Sequence, residues 1–414
     1  MRPLEGMRAS RAEPGLAEDG ARGRRVTLLL ASTLTILSGA ILAPALPAIA
    51  EHFAATPNVG LLTRLVLTMP ALLIALAAPF AGILADRLGR RPLLIGAMLI
   101  YGFAGMSGMV LESLEAILMS RAVLGAAVAG IMTTVTALAG DYYAGPARDR
   151  FMGQQVAAIG FVGLGFLVGG GLLAELDWRL PFAVYGLAFA LLPAVLVWIL
   201  KPRREPRPMA AAPGPGAAPA PSRNRLALAL LFAAAILNSL AFYLVPTQLP
   251  FYLEALGTGS PSRAGLAIGL LSFASAAMSL GYGRLRGRIG IPGMFGIGFG
   301  LMAAGFLVAG AVGSYGAIVA AVAVAGLGMG FVMPNLGTAA MALAWPEARG
   351  RVAGGLTASI FLGQFLSPIV SSPWIEAQGF ATAFRDAGLL LAAIAVTAAL
   401  IVFGSRGTAG LPGR

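Results

Sequence analysis

Long apolar runs, separated by short polar and basic segments, account for most of this 414-residue chain. Twelve runs each have about the length, roughly twenty residues, that a helix needs to cross a bilayer. Strands are not expected, because an isolated strand in lipid leaves its backbone groups without hydrogen bonds. The pattern therefore predicts an all-α membrane protein with twelve transmembrane helices. Their predicted ranges are 26–50, 61–81, 93–110, 117–139, 151–174, 181–200, 226–249, 264–283, 292–313, 317–340, 352–372 and 383–404.

Composition favours a membrane protein and removes several other classes. Hydrophobic residues make up 58% of the chain and charged residues 11%, against about 25% charged residues in a soluble domain. Cysteine is absent and His52 is the only histidine, so we expect no metal site and no cofactor. The single lysine, Lys201, follows Leu200, so the chain lacks the Gly-Lys phosphate loop of an ATP-driven pump. It also lacks a Gly-x-Ser-x-Gly motif, and we do not expect an enzyme.

The positive charges follow the predicted topology. Lysine and arginine number 29 against 17 acids, which gives a formal net charge of +12. With the N-terminus in the cytoplasm, 24 of the 29 fall in inner tails and loops, and Arg64, Arg179, Arg263 and Arg385 fall outside. This bias satisfies the positive-inside rule, so we expect an inner-membrane protein with both termini in the cytoplasm. Because topology explains the basic residues, the expected partners are lipid and a small-molecule substrate, with no nucleic acid.

One long polar segment separates two groups of six predicted helices. Residues 201–225 contain seven prolines and few large apolar side chains, which predicts a disordered cytoplasmic linker. The two bundles are predicted at residues 26–200 and 226–404, with cytoplasmic tails at 1–25 and 405–414.

The two halves are also related in sequence, at an offset of 201 residues. GILADRLGRR from Gly82 matches GRLRGRIGIP from Gly283, and ARDRFMG from Ala147 matches ARGRVAG from Ala348. Several segments that share one offset predict a duplicated unit, and hence two pseudo-symmetric six-helix bundles with a transport site between them.

Three short motifs resemble those of the major facilitator superfamily. GILADRLGRRP, residues 82–92, resembles the family's G-x-x-x-D-R-x-G-R-[RK] loop between the second and third helices. RAVLG, residues 121–125, resembles the fourth-helix motif R-x-x-x-G. GFLVGG, residues 165–170, is similar to the G-P-x-x-G-G motif of antiporters, with Phe166 in place of the proline. The resemblance is nearest to the drug:proton antiporter branch. It implies the major facilitator fold, a functional monomer and secondary active transport by alternating access.

The first of these motifs contains an expected cytoplasmic gate. Gly82 removes a side chain where a helix of the other half is expected to come close, and Gly89 permits a left-handed turn. The resemblance implies that Asp86 latches the cytoplasmic side shut in the outward-facing state, with Asp141 as a second member of the latch. A purely topogenic loop is the alternative. The predicted gate residues are Gly82, Asp86, Arg87, Gly89, Arg90, Asp141, Arg148 and Arg150, the last two as candidate partners of Asp141.

The other two motifs contain a basic residue and a set of glycines within predicted helices. Arg121 lies about four residues into the fourth helix. It could extend to the outer surface, or face the central cavity and bind an anionic group or organise proton transfer. Gly125 is the last residue of this motif, and we assign it with Arg121 to a proton or substrate relay. The glycines of the antiporter-like motif are Gly165, Gly169 and Gly170.

Candidate cavity residues and the expected substrate follow from polarity along the helices. Seven residues could line a cavity, although interhelical hydrogen bonds or lipid contacts explain them almost as well: Ser38, Asn238, Tyr243, Gln248, Asn335, Phe361 and Gln364. None of the 17 acids falls at the middle of a predicted helix, so a cation would lack a counter-charge there. We therefore expect a neutral or weakly anionic amphipathic substrate, with Arg121 as the only candidate counter-ion.

The expected activity is proton-coupled efflux, because the antiporter-like motif favours export. Uptake of a small nutrient or metabolite by the same fold is the alternative. The proton is the expected coupling ion, and it would have to use residues near the membrane surfaces. The candidates are Asp86 and Asp141 inside and Glu51, His52 and Glu254 outside.

Overall fold

The computed structural model describes residues 14–200, 222–345 and 348–408. Helices occupy nearly all of them, because a helix satisfies its backbone groups within one apolar segment. Most of the predicted linker and the outer parts of both tails lie outside the described residues. The helices are α1 (Pro14–Ala40), α2 (Leu46–His52), α3 (Val59–Leu88), α4 (Arg90–Met106), α5 (Leu114–Tyr142), α6 (Gly145–Leu176), α7 (Leu180–Ala183), α8 (Leu187–Trp198), α9 (Ser222–Ala255), α10 (Pro261–Ala309), α11 (Tyr315–Leu343), α12 (Arg349–Gln378) and α13 (Phe380–Thr408).

The predicted twelve-helix membrane fold is confirmed, with two helices joined end to end. Eleven stretches of the described chain are long and apolar enough to cross a membrane. One of them, α10, contains a kink at Gly290, whose φ of 77° and ψ of 173° lie outside the helical region. Because Pro292 just beyond cannot donate a backbone hydrogen bond, the helix restarts there. The two arms of α10 correspond to the predicted eighth and ninth helices.

Two predicted helices are interrupted. The first crosses as α1 and α2, which are joined through a 3₁₀ turn at Ala43–Ala45 that contains Pro44. The sixth crosses as α7 and α8, which are joined through a 3₁₀ turn at Val184–Gly186. Each break frees backbone carbonyls inside the bundle, where side chains from neighbouring helices can reach them.

The chain between the predicted second and third helices contains less loop than the sequence indicates. Helix α3 continues to Leu88, and α4 begins at Arg90, so Gly89 alone forms the turn. Gly89 has a φ of 90° and a ψ of 151°, and the left-handed φ predicted for it is confirmed. Asp86 therefore belongs to the last turn of α3.

The same backbone turn occurs 201 residues later, which supports the predicted duplication. Gly290 has nearly the same conformation as Gly89 and also lies between two membrane-crossing segments. Both positions require a φ that favours glycine, so the repeat extends from sequence to backbone geometry.

Candidate functional site: a helix bundle closed at one end

The two halves of the chain touch at one end of the bundle, which we call the closed end. A Cβ atom placed on Gly171 of α6 would lie 2.5 Å from the carbonyl oxygen of Pro261 in α10. One placed on Gly265 of α10 would lie 2.3 Å from the carbonyl oxygen of Leu167 in α6. Only glycine allows these backbones to approach so closely, which is the small-residue packing typical of membrane helices.

A hydrogen bond completes the contact between α6 and α10. Ser262 Oγ donates to Glu175 Oε1 at 2.5 Å, which joins the last turn of α6 to the first turn of α10. The contact continues towards the middle of the bundle, where the rings of Phe161 and Phe273 pack edge to face with centroids 5.4 Å apart. The closed end is therefore sealed by close backbone packing, polar contacts and aromatic contacts between the halves.

At the opposite end, which we call the hairpin end, three glycines make no close contact with another helix. It contains the Gly89 and Gly290 turns. A Cβ atom on Gly82 of α3, Gly153 of α6, or Gly354 of α12 would meet nothing within 4 Å. The close approach predicted for Gly82 is absent in this conformation, because no atom lies within 4 Å of its Cβ position.

An ion pair fixes the base of the hairpin that α3 and α4 form around Gly89. Arg90 pairs with Asp141, and Arg90 Nη1 donates to the carbonyl oxygen of Ala137 at 2.9 Å. The predicted partners of Asp141, Arg148 and Arg150, are wrong for this conformation, since both lie exposed in the first two turns of α6. Arg90 is better placed, because the short turn brings the start of α4 against the last turn of α5. Unpaired carbonyls at the end of a helix attract a cation there.

Arg121 lies sealed inside the first half. Its side chain is fully buried, and one terminal nitrogen donates to the carbonyl oxygens of Ala104 and Gly105, each at 2.8 Å. Its guanidinium carbon also lies 5.1 Å and 4.8 Å from the ring centres of Phe182 and Tyr185. Extension of Arg121 to the outer surface is therefore wrong, and Arg121 does not contact a central cavity in this conformation.

Gly125, the other residue of the predicted relay, serves helix packing. A Cβ atom at Gly125 would lie 2.5 Å from the carbonyl oxygen of Pro70 in α3. Among the antiporter-like glycines, only Gly170 makes such a contact, 2.6 Å from the carbonyl oxygen of Ile41 at the break after α1. Gly165 and Gly169 face open space, whereas Gly171, which the motif did not include, forms the contact between the halves.

We expect Arg121→Lys to lower the free energy of unfolding by about 2 kcal/mol, because an ammonium group cannot donate to the carbonyl oxygens of Ala104 and Gly105 and also lie over the rings of Phe182 and Tyr185 as the flat guanidinium does. Thermal unfolding of the purified protein in detergent, followed by tryptophan fluorescence, measures the change. Arg179→Lys is the matched control and should change the stability less. The Arg179 guanidinium also lies over an aromatic ring, that of Trp178, 4.7 Å from its centre. Equal stability of the Arg121→Lys protein and the parent would contradict a structural role for Arg121.

Four of the seven predicted cavity residues are buried, three of them in contacts between helices. Ser38 Oγ donates to Thr35 O at 2.7 Å, and Asn238 Nδ2 lies 3.4 Å from the sulfur of Met333. Asn335 accepts from the Tyr282 hydroxyl at 2.9 Å and donates to Ile291 O at 2.9 Å, which holds the kink of α10. Gln248, the fourth, bridges the halves at the closed end. In this conformation the amide groups of Gln248 and Asn335 and the amide nitrogen of Asn238 face neighbouring helices, while the Ser38 hydroxyl bonds within α1, so a cavity-lining role for these four residues stays a prediction.

The remaining three candidates are partly accessible. Tyr243 of α9 faces the first half, with its hydroxyl 3.5 Å from where a Cβ on Gly39 would lie. Phe361 and Gln364 are half-buried on α12.

A polar contact that the sequence did not indicate joins two helices of the first half. Gln155 Nε2 of α6 donates to Ser32 Oγ of α1 at 2.8 Å.

Arg64 is the functional candidate that sequence reasoning missed. Its side chain is only 8% exposed, and Arg64 Nε donates to Gln248 Oε1 in the other half at 2.7 Å. Charge counting explains Arg64 as one of four outer arginines. Its position inside the predicted range 61–81 was the available signal, because a charged residue within a membrane helix indicates a functional site.

Comparison of the sequence with known proteins identifies related transporters. The model of the Major Facilitator Superfamily matches residues 28–354, and a second match covers 231–413. Multidrug resistance protein 1 of Bacillus subtilis is 34% identical over 136 residues, 32% of this chain and 34% of that protein. Inner membrane transport protein YnfM of Escherichia coli is 29% identical over 190 residues, 44% of each chain. Niacin transporter NiaP of Acinetobacter baylyi is 30% identical over 130 residues, 30% of this chain and 28% of that protein. The matches span less than half the length of these curated relatives.

Solved structures share the fold over nearly the whole chain. A bacterial homologue of the human lysosomal transporter Spinster, inward-facing and unoccupied, has a TM-score of 0.72 at 17% identity. That similarity covers 95% of this chain and 97% of the other. A D-xylose-proton symporter has a TM-score of 0.69 at 14% identity, covering 91% of this chain and 97% of the symporter. At such identities the likeness concerns the fold.

Proposed function

Because the chain belongs to the major facilitator superfamily, we propose that it is a secondary active transporter that exports a neutral or weakly anionic amphipathic small molecule in exchange for protons. Members of this family are membrane transporters. The observation that carries the proposal is the asymmetric packing of the bundle, whose halves touch at the closed end, whereas glycines of α3, α6 and α12 at the hairpin end meet nothing within 4 Å. A protein that exchanges this arrangement for its opposite gives a substrate access to one side of the membrane at a time.

The orientation of the bundle follows from its charges. The hairpin end contains Arg87, Arg90, Arg91, Arg148 and Arg150, and the 24-to-4 bias of basic residues favours the cytoplasm for this end. Both termini would then lie in the cytoplasm, and the protein would lie in the inner membrane as a functional monomer. The conformation described is inward-facing in this orientation, with the closed end at the outer surface.

The substrate class follows from where the acids lie. In the described helices every acid lies within about two turns of a helix end, as do Asp86 in α3, Glu254 in α9 and Glu376 in α12. A permanent cation at the midplane would lose its hydration without gaining a counter-charge. A neutral or weakly anionic amphiphile avoids that cost and can use apolar contacts along the pathway.

Export is supported by the partial antiporter motif and by the relatives whose names describe multidrug resistance and efflux. Uptake is the second candidate, because the niacin transporter and the D-xylose-proton symporter are also similar to this chain. Proton coupling would use acids near the surfaces, among them Asp86 and Asp141 at the hairpin end and Glu51, His52 and Glu254 at the closed end.

We expect expression of the protein to lower the accumulation of a neutral lipophilic compound in energised cells. The measurement is a time course over a compound panel, with and without a protonophore, because dissipating the proton gradient should remove the effect. The control is an equal amount of the Asp86→Asn protein in the same membrane. Protonophore-sensitive accumulation above that of control cells would overturn export and establish uptake.

A further inference from the structure

We propose that Arg64 is the closing residue of the outer gate, where its hydrogen bond to Gln248 joins the two halves and sets the population of the inward-facing state. The proposal rests on the alternating access proposed above. It adds a gate residue outside the motif of residues 82–92, at the opposite end of the transport pathway.

The contacts of Arg64 reach both halves. Within its own half, Arg64 Nη1 donates to the carbonyl oxygen of Gly60 at 2.5 Å. Towards the other half, Nε donates to Gln248 Oε1 at 2.7 Å, and the guanidinium carbon lies 4.1 Å from the ring centre of Phe251 in α9. The carboxylate of Glu376 in α12 adds electrostatic attraction. One side chain in α3 thus interacts with two helices of the second half.

Gln248 extends the contact deeper into the second half. Its side chain is fully buried, and Nε2 donates to Ser371 Oγ at 2.8 Å and to Ser372 Oγ at 3.3 Å. The serines orient the amide so that its oxygen faces Arg64. This acceptor is therefore held in place for a donor that comes from the other half.

The network fits a gate because its bonds depend on contact between the halves. When the closed end opens, Arg64 leaves Gln248 and both groups must be hydrated. When it closes without Arg64, the oriented Gln248 oxygen is buried without a donor, which is costly. A neutral amide also binds a guanidinium less strongly than a carboxylate would, so closure is favoured while reopening remains accessible.

The other contacts at this end cannot perform the same role. The glycine contacts of α6 and α10 set how closely the backbones pack, and Ser262 contributes a hydrogen bond to Glu175, an exposed side chain. Water can replace that exposed partner on opening at little cost. Arg64 and Gln248 are the buried polar pair that joins the halves in the described part of the closed end.

Spin labels can report this gate without any substrate. Since the chain has no cysteine, Glu112→Cys and Ser314→Cys introduce two labelling sites only, each just before a helix that begins at the closed end. Pulsed electron-spin distances in lipid nanodiscs then measure the ratio of separated to closed halves. We expect Arg64→Ala to raise this ratio about tenfold. Arg263→Ala, which removes the same charge from an exposed side chain bonded within its own half, should leave the ratio unchanged.

A second variant identifies the bond itself and covers a misfolded Arg64→Ala protein. Gln248→Ala should raise the ratio to a similar extent, and the double variant should add little to either single change. An unchanged distance distribution in the folded Arg64→Ala protein would overturn the proposal, and so would full additivity of the two changes. Because no substrate enters this measurement, the gate can fail while transport is demonstrated, and a failed transport assay leaves the gate result intact.

Discussion

Asp86→Asn is expected to insert and fold like the parent protein but to transport its substrate about tenfold more slowly or worse. Asp86 lies exposed in the last turn of α3, at the helix end where the macrodipole disfavours a negative charge. A carboxylate at that position gains stabilisation from arginines and from the N-terminus of another helix. The resemblance of residues 82–92 to the family's loop motif implies that Asp86 holds the hairpin end shut in the outward-facing state, so the amide is expected to weaken that state by about one or two charge-assisted hydrogen bonds.

Transport into sealed vesicles at matched protein levels measures the effect of Asp86→Asn. Asp149→Asn is the control, because it removes another acid from the same end of the bundle. Near-normal flux through the Asp86→Asn protein would eliminate the latch and leave the hairpin with a topogenic role.

The two gate variants should shift the conformational equilibrium in opposite directions. Asp86→Asn weakens closure of the hairpin end, whereas Arg64→Ala weakens the contact between the halves at the closed end. In the spin-label measurement, the double variant should therefore return towards the parent distribution. Two sites that bias one equilibrium compensate in this way even when they lie far apart.

The helices were predictable because the length of an apolar run is a local property of the sequence. The turn at Gly89 and its counterpart at Gly290 were also accessible, since the repeat at one offset places both glycines. The continuity of α10 could not be predicted, because a kinked junction and a short loop have the same amino-acid composition. The extension of α3 to Leu88 was missed for a related reason, as charged residues end the apolar run before they end the helix.

The site was less predictable because membrane helices are apolar on every face. Depth along a helix follows from residue number, but the direction of a side chain depends on which helix packs beside it. Asn335 and Gln248 have suitable depth for a cavity, yet each is bonded to neighbouring helices. Arg64 and Arg121 lie at similar depths near the starts of their helices. Only the packing shows that Arg64 connects the two halves, whereas Arg121 connects helices within the first half.

The buried charges of the bundle are expected to exclude permanent cations. Arg64 and Arg121 contribute positive charge within the described helices, while the described acids remain near the helix ends. Positive charge in a low-dielectric pathway acts over a longer range than it does in water, so a cationic substrate meets repulsion in addition to its desolvation cost. A neutral amphiphile avoids the repulsion, and a weakly anionic one gains attraction from both arginines.

We therefore expect proteoliposomes with an imposed pH gradient to transport neutral and weakly anionic compounds at least about tenfold faster than a quaternary ammonium compound of matched size. Gln364→Glu provides the matched variant, since it changes one atom of a half-buried α12 side chain and adds the missing counter-charge. Its transport of the quaternary ammonium compound should rise while transport of the neutral compound changes little. Robust, pH-driven transport of the quaternary ammonium compound by the parent protein would contradict the substrate class, because such a cation would then be stabilised in the pathway without a carboxylate.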